Sequence, residues 1–319
     1  MARYLVTGAA GFIGSSLVRA LLQRGEKVRG IDNFSTGQRH NIEEIRGRMD
    51  FLEGDLLDGE ALRAACQNVD FVLHHAAIPS VPRSVADPLE NNRANLDATV
   101  QLLAAARQAG VRRVVYAGSS SAYGDGPASP KRETLPPSPL SPYAVAKLAG
   151  EYYMHAFWQC YGLETVCLRY FNIFGPRQDP TSPYSGVLAR FIQQMIRNEP
   201  PTIFGDGTQS RDFTFVDNVV EANLLACSAT ASAVAGRVFN VATGVARDLN
   251  EVVVLLREIL QYRGEVRRGP ERIGDVKHSV ADLTCAEKSL GYKAIVDFEE
   301  GLRRTVEWYC QTHAASPSN

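Results

Sequence analysis

Tyr143 and Lys147 stand four residues apart, directly after Ser141-Pro142. Positions i and i+4 share one face of a helix, so this spacing sets an ammonium beside a phenol. A free tyrosine titrates at about 10, so acting as a base near neutrality requires help. A neighbouring Lys⁺, together with a positively charged cofactor ring, favours phenolate and is expected to lower that pKa by a few units. Alone, the spacing describes a solvated helix face equally well. It gains weight from a second run, Ala117-Gly118-Ser119-Ser120-Ser121-Ala122-Tyr123-Gly124, which ends an apolar β-type segment. Parallel sheets hold their ligands at the carboxyl ends of their strands. A serine hydroxyl there can pass a proton between a substrate and the phenolate.

A third pattern lies near the N-terminus. Thr7-Gly8-Ala9-Ala10-Gly11-Phe12-Ile13-Gly14 closes the first apolar run and opens the first amphipathic one. Glycines at positions 8, 11 and 14 permit a tight turn and let the backbone approach a pyrophosphate. That group would rest on the helix N-terminus where Phe12 and Ile13 begin. The spacing is GxxGxxG rather than GxGxxG, and alone it also describes a structural turn. Asp32 stands 18 residues past Gly14, at the end of the second apolar run. A carboxylate there accepts hydrogen bonds from ribose hydroxyls and repels a 2′-phosphate. Its neighbour Asn33 is uncharged and no arginine replaces the acid, so NAD is expected rather than NADP. Asp55-Leu56 follows the third run, where the carboxylate either meets an adenine amino group or is a surface loop acid. His75-Ala76-Ala77 follows the fourth, where small residues let the backbone lie close to the cofactor.

These residues need strands to carry them. Short apolar runs place strands at residues 4–7, 28–32, 49–53, 71–74, 114–117 and 165–169. Helical patterns fall between them, at 12–24, 59–68, 89–109 and 142–161. Apolar runs with little alternation, separated by helices, predict an α/β fold: a doubly wound parallel sheet covered on both faces. After residue 171 the pattern changes to a helix at 187–198 and a Pro/Gly-rich loop through Pro200-Pro201 and Gly205-Asp206-Gly207. Then come a strand at 213–216, a helix at 217–226 and a strand at 238–241. Helices at 249–260 and 298–309 close the chain. With no repeat and no long linker, the smaller C-terminal substrate domain is expected to interleave with the first. The expected division assigns 1–171 and 213–244 to a nucleotide domain, and 172–212 and 245–319 to the substrate domain.

The 319 residues fit about two domains of roughly 150 residues each. Lys and Arg number 34 against 35 Asp and Glu, a net charge of −1. That gives no global basic field for nucleic acid or an anionic membrane, although a local basic pocket stays open. No run approaches the roughly 18 apolar residues of a membrane span, and the first apolar run is too short for a signal sequence. The six cysteines are scattered without a CxxC pair and read as reduced thiols rather than metal ligands, which makes the cytoplasm the expected setting.

In this order, strand–GxxGxxG, strand–Ser-Ser-Ser and Tyr-x-x-x-Lys resemble the extended short-chain dehydrogenase/reductase superfamily, over nearly the whole chain from Tyr4 to about Tyr309. The resemblance implies a Rossmann-type fold with bound NAD. It makes Tyr143 the base, Lys147 its helper and Ser119 the catalytic hydroxyl, four residues before Tyr123. Asn95, in Asn95-Leu96-Asp97-Ala98-Thr99, matches the family's Asn-x-x-Gly-Thr segment near the cofactor, with Ala98 in place of the glycine. Asn33, Ser35, Gly37 and Tyr170 are implied at the cofactor as well.

The second half is similar to the sugar-binding segments of sugar-nucleotide epimerases and dehydratases, through 168–178, 205–213 and 272–275. Two arginines in distant loops can converge on a diphosphate, although each alone reads as a surface residue. The resemblance implies that Asn172, Arg211 and Arg272 hold a UDP diphosphate and Asp275 its ribose, with Ile203 and Phe204 near the uracil. Ser80, Val81, Ser84, Gln178, Val187 and Leu188 are implied at the substrate, as are Ser120 and Ser121.

Dehydratases of the superfamily carry Asp-Glu directly after the catalytic Thr, and a decarboxylase group keeps a Glu two residues after it. Ser120 and Ser121 stand in those places. The implied reaction is therefore 4-epimerisation: transient oxidation at C4, rotation of the 4-keto sugar and return of the hydride by retained NAD. In similar epimerases, Tyr four places after the Gly-Asp acid goes with plain hexoses, and Ser or Cys with N-acetylated ones. Ser279 holds that place. Ser80-Val81-Pro82-Arg83-Ser84 and Arg177-Gln178-Asp179-Pro180 also resemble the branch that handles UDP-N-acetylhexosamines. Asp179 stands where UDP-glucuronate 4-epimerases tend to carry Arg. The implied substrates are UDP-N-acetylglucosamine and UDP-N-acetylgalactosamine, with UDP-glucose and UDP-galactose also accepted. A homodimer through helices 89–109 and 142–161 is implied, although their apolar faces are equally explained as core. Three alternatives stay open: an epimerase restricted to plain sugars, a binding protein with a dead site, and a reductase that turns over free NAD(H).

Overall fold

The computed structural model describes residues 1–179, 186–271 and 277–314, with residues 313 and 314 described by backbone alone. The first half alternates as expected. In chain order it runs β1 (Arg3–Thr7), α1 (Phe12–Gln23), β2 (Lys27–Asp32), β3 (Asp50–Glu53), α2 (Gly59–Cys66) and β4 (Phe71–His74). Two short helices follow, α3 (Val81–Ala86) and α4 (Pro88–Asn92), then α5 (Ala98–Gln108) and β5 (Arg113–Ser119). The long helix α6 (Pro142–Tyr161) leads into β6 (Glu164–Tyr170).

These six strands and the later strand β11 (Arg237–Val241) form one seven-stranded sheet in the order β11-β6-β5-β4-β1-β2-β3, every pair parallel. Sequence order reverses between β1 and β4, which opens a crevice at their carboxyl ends. Strand residues alternate between two cores. Tyr4 and Val6 face α1, whereas Leu5 and Val72 face α2 and α5.

The α6 helix starts where its caps dictate. Ser141 Oγ accepts from Ala144 N, Pro142 occupies the first turn and Gly162, at φ +69°, ends the helix. Tyr143 is thereby placed in the first turn.

The remainder runs β7 (Ile173–Phe174), α7 (Val187–Ile196), β8 (Thr202–Phe204), β9 (Ser210–Asp212) and β10 (Thr214–Phe215). Next come α8 (Val216–Ser228), α9 (Ala231–Val234), β11 (Arg237–Val241), β12 (Ala246–Asp248) and α10 (Leu249–Leu260). Last are β13 (Arg267–Gly269), β14 (His278–Ser279), α11 (Thr284–Leu290) and α12 (Phe298–Ala314). The strand β11 lies at the sheet edge against β6, and α8 packs beside α1. A third core, which includes Phe174, Phe191, Phe213, Leu256, Phe298 and Leu302, gathers α7, α10 and α12.

Three expectations need correction. The single helix at 89–109 is broken by a π-helical turn at Arg93–Asp97. Buried Asn95 sits in that turn and bonds away from the helix, to the Ile78 backbone. The strand at 213–216 shrinks to the two-residue β10, with a separate strand, β9, just before it and Val216 already opening α8. The loop after Pro201 contains β8, which pairs in parallel with β13. No helix among the described residues is long and apolar enough to cross a membrane.

Candidate active site

The turn after β1 is built for close approach. Gly8 adopts φ +68°, and a Cβ there would lie 2.8 Å from the Ala76 amide nitrogen. At Gly14 a Cβ would meet the Gly8 carbonyl oxygen at 1.9 Å, so α1 presses directly on the turn. The α1 N-cap, Gly11, offers no side-chain bond to the first-turn amides, where Phe12 and Ile13 begin the helix half-buried. Bare amides at a helix start fit an anionic pyrophosphate.

Asp32 ends β2 and is buried. Its Oδ2 accepts from Ala10 N at 2.9 Å and its Oδ1 from Phe34 N at 2.7 Å. Burial pushes its carboxyl pKa up and the two amide bonds pull it down. A Cβ at Gly37 would lie 2.8 Å from Asp32 Oδ1, so that glycine keeps the approach to the acid clear. Asn33 donates from Nδ2 to Asp55 Oδ2 at 2.8 Å and accepts from Ser35 N at 3.0 Å, while Leu56 is buried.

The end of β4 is fixed by Thr7, whose Oγ1 accepts from both His75 N and Ala76 N at 3.1 Å. Its own proton therefore goes to His74 Nδ1 at 2.8 Å. Asn95 holds the next stretch, past Ala77, by accepting from Ile78 N and donating to Ile78 O. His75 stacks on Tyr170 and shares a 2.8 Å bond with its hydroxyl, which also accepts from Asn223 Nδ2. Asn223, on α8, was not foreseen. Burial holds the His75 pKa down to about 3, so the ring is neutral at ordinary pH.

Ser119 and Tyr170 are register partners at the ends of β5 and β6. Ser119 Oγ accepts from Ser121 N at 3.2 Å and from Ser121 Oγ at 2.8 Å. With both lone pairs taken, its own proton points elsewhere, and the group facing it is the Tyr143 phenol. Ser120 opens the short turn that follows. Lys147 is buried one helical turn below Tyr143, donates from Nζ to Ala117 O at 3.0 Å and sits 4.9 Å from the centre of the Tyr116 ring.

Of the two expected helpers, Lys147 is not among the groups that shift Tyr143: within the chain itself burial raises its pKa, and the Ser119 hydroxyl is what opposes the rise. Burial likewise brings Lys147 down to about 8, against the pull of the Glu151 carboxylate.

Beyond the carboxyl end of β6 lies a cavity of about 690 Å³, lined in part by Asn172, Gln178, Val187, Leu188, Phe204 and Arg211. Asn172 Nδ2 donates to Asp212 O, and Gln178 Nε2 donates to Ile173 O. Arg211 is steadied by the carbonyls of Ser210 and Lys277. Arg190 and Gln194 of α7 also line the cavity, unforeseen because helix periodicity does not say which polar face meets a hollow.

Two groups of expected residues are placed differently. Strand alternation turns Thr202 and Phe204 to the cavity and buries the Ile203 side chain in the third core, away from it. Ser80 caps α3 by accepting from Arg83 N, and Ser84 donates to Val81 O. Both serines are buried, and of this segment it is Val81 that reaches the cavity. Ser279 pairs with Arg211 across β14 and β9. Arg272 and Asp275 lie outside the described residues, and so does the expected convergence of Arg272 with Arg211.

Residues 4–242 match the model of the "NAD dependent epimerase/dehydratase family". The UDP-glucose 4-epimerase of Mycolicibacterium smegmatis is 39% identical over 311 residues, covering 96% of this chain and 98% of that protein. A solved UDP-N-acetylglucosamine 4-epimerase from Methanobrevibacter ruminantium, in complex with UDP-N-acetylmuramic acid, superposes with a TM-score of 0.93 at 39% identity, covering 98% of this chain and 99% of that one. The Thermus thermophilus UDP-glucose 4-epimerase in complex with NAD gives a TM-score of 0.87 at 38% identity, covering 97% and 99%.

Proposed function

The chain belongs to the NAD dependent epimerase/dehydratase family and is a UDP-sugar 4-epimerase; within that activity we propose that it interconverts UDP-N-acetylglucosamine and UDP-N-acetylgalactosamine and also accepts UDP-glucose and UDP-galactose. Ser279 carries the choice of sugar. It pairs in register with Arg211, which lines the cavity, and by the resemblance a small side chain at this place leaves room for an N-acetyl group where a tyrosine would not.

The turn at Gly8, Gly11 and Gly14 would hold the pyrophosphate of NAD, and Asp32 the adenosine ribose. When bound, NAD supplies a hydride acceptor for C4 and a positive ring that draws the Tyr143 phenol toward phenolate. Tyr143 Oη takes the proton of the C4 hydroxyl and later gives it back to the same oxygen after the sugar has turned. Ser119, its lone pairs occupied by Ser121, donates its proton to that pair of oxygens. Lys147 sets positive charge below the phenol. Ser120 and Ser121 offer no carboxyl group, so nothing beside Ser119 can expel water from the sugar. Arg211 and Asn172, with Arg272 and Asp275, would hold the nucleotide while the hexose rotates.

The proposed molecule is a homodimer paired through the α4–α5 and α6 helices. Its six free cysteines fit the reducing cytoplasm.

The test is incubation with UDP-N-acetylglucosamine and with UDP-glucose, without added NAD, followed by separation of the UDP-sugars. Both substrates should be epimerised. Ser279→Tyr should lose turnover of the acetylated pair by at least about tenfold, roughly 1.4 kcal/mol, and spare the plain pair. Equal loss on both pairs overturns the sugar assignment, and product from UDP-glucose alone in the unaltered protein makes the enzyme a plain-hexose epimerase.

A further inference from the structure

Tyr143, Lys147 and Glu151 recur at every fourth residue of α6 and share one face of it. The proton transfers above use the first two and leave the third unexplained. Glu151 is buried, and its carboxylate accepts three bonds from Arg169 of β6, at 3.0, 3.1 and 2.7 Å. The strand beside it is bare, since a Cβ at Gly118 would lie 2.9 Å from Glu151 Oε1. Arg169 in turn lies 4.6 Å from the centre of the Tyr123 ring, whose hydroxyl donates to Asn240 Oδ1 and faces the guanidinium with its lone pairs. Two buried cations thus lie about one buried anion, Arg169 in direct contact with it and Lys147 one turn away on the same helix face with its ammonium bonded to Ala117 O.

We propose that Glu151 is a positioning residue that holds Lys147 in its ammonium form against the cost of burial, and that Arg169 sets how much of that carboxylate's charge the lysine feels. An isolated buried ammonium sheds its proton, whereas one beside a carboxylate keeps it. Beyond Arg169, the half-buried Glu133 adds a carboxylate that faces the guanidinium and Tyr123, whereas the groups facing Lys147 itself carry no charge at ordinary pH. His74 and His75 of β4 are held neutral by burial. Tyr116 of β5 and Cys167 of β6 are pushed well above their usual ranges, and Tyr143 is raised. Glu151 is therefore what opposes burial at Lys147.

The two members of the pair then act on Lys147 in opposite directions. Without the carboxylate, Lys147 faces the positive Arg169 and should lose its proton at lower pH. Without the guanidinium, the carboxylate loses the bonds that oppose its burial and keeps Lys147 as its nearest counter-charge, so the two hold each other ionised and Lys147 should keep its proton to higher pH.

The proposal rests on Lys147 as the helper of Tyr143, but its test needs no turnover. The Lys147 signal in isotope-labelled protein, identified by its loss in Lys147→Met, is titrated by NMR. The unaltered protein should show a midpoint of about 8. Glu151→Gln should lower it by at least about one pH unit, a tenfold change in proton affinity, and Arg169→Gln should raise it. Glu151→Asp and Arg169→Lys, which keep the charges, should leave it near the unaltered value. Midpoints that move together in the two Gln variants, or stay still, overturn the proposal. Should Arg169→Gln fail to fold, equal shifts in Glu151→Gln and Glu151→Asp overturn it alone. The alkaline limb of turnover should track the same midpoints, and epimerase activity missing from the unaltered protein would fault the assigned reaction while leaving the titration to judge Glu151.

Discussion

A methyl group at Gly8 would enter the backbone of Ala76 and His75 at 2.8–2.9 Å, in a conformation of φ +68°. The left-handed backbone alone costs an L-residue roughly 1–2 kcal/mol, and neither neighbouring segment can retreat without disturbing Thr7 and its two amide bonds. Gly8→Ala is therefore expected to be isolated with little NAD, read by releasing and assaying the bound cofactor. Tyr143→Phe should behave in the opposite way. It removes an oxygen that makes no contact with the glycine turn, so NAD should be retained while turnover falls by about 10²–10⁴-fold. Similar cofactor loss in both variants would count against this separation of binding from proton transfer. At this scale the spacing of Tyr143, Lys147 and the serine run was readable in the chain, and the structure brings the three together. The upward push of burial on Tyr143 was not readable, because spacing says nothing about burial.

The boundaries of the elements were readable where a cap is written in the sequence, as with Ser141-Pro142 before α6 and Gly162 after it. They were missed where a tertiary bond overrides a local pattern. The stretch from α4 to α5 keeps helical periodicity throughout, yet it passes through a π turn because Asn95 bonds to Ile78 and to Asn91 Oδ1. The inward turn of the Ile203 side chain was not readable because the proline-rich stretch before it hides a three-residue strand, and with it the alternation that aims Phe204 outward. Asn95→Ala should expose what its bonds are worth. It leaves the buried Ile78 amide unpaired, which should cost about 1–3 kcal/mol, seen as a lower urea midpoint with an unchanged slope. An unchanged midpoint would mean that the π turn is held by something else.

Across the whole molecule, large apolar side chains remain exposed on α3, α4 and α6, including Val85, Leu89, Val145 and Tyr152, the most exposed being Leu89 at 77%. Both α3 and α4 pack on α6, so these residues belong to neighbouring helices. Light scattering should report twice the mass of one chain, and Leu89→Glu combined with Tyr152→Glu should halve it while bound NAD is retained. A monomer before substitution would remove that proposal. The interleaving of the sheet reaches further than pairing. Arg113 is wholly buried at the start of β5, and its guanidinium meets Glu164 and the carbonyls of Ala226, Cys227 and Ala229 at the end of α8. During synthesis, the first of those carbonyls emerges 113 residues after the arginine. At about 5–20 residues per second, that is a wait on the order of ten seconds. Until then the nascent sheet lacks both its last strand and the lid over its deepest cation, so a ribosome carrying the first half of this chain carries an unfinished layer rather than a folded nucleotide domain.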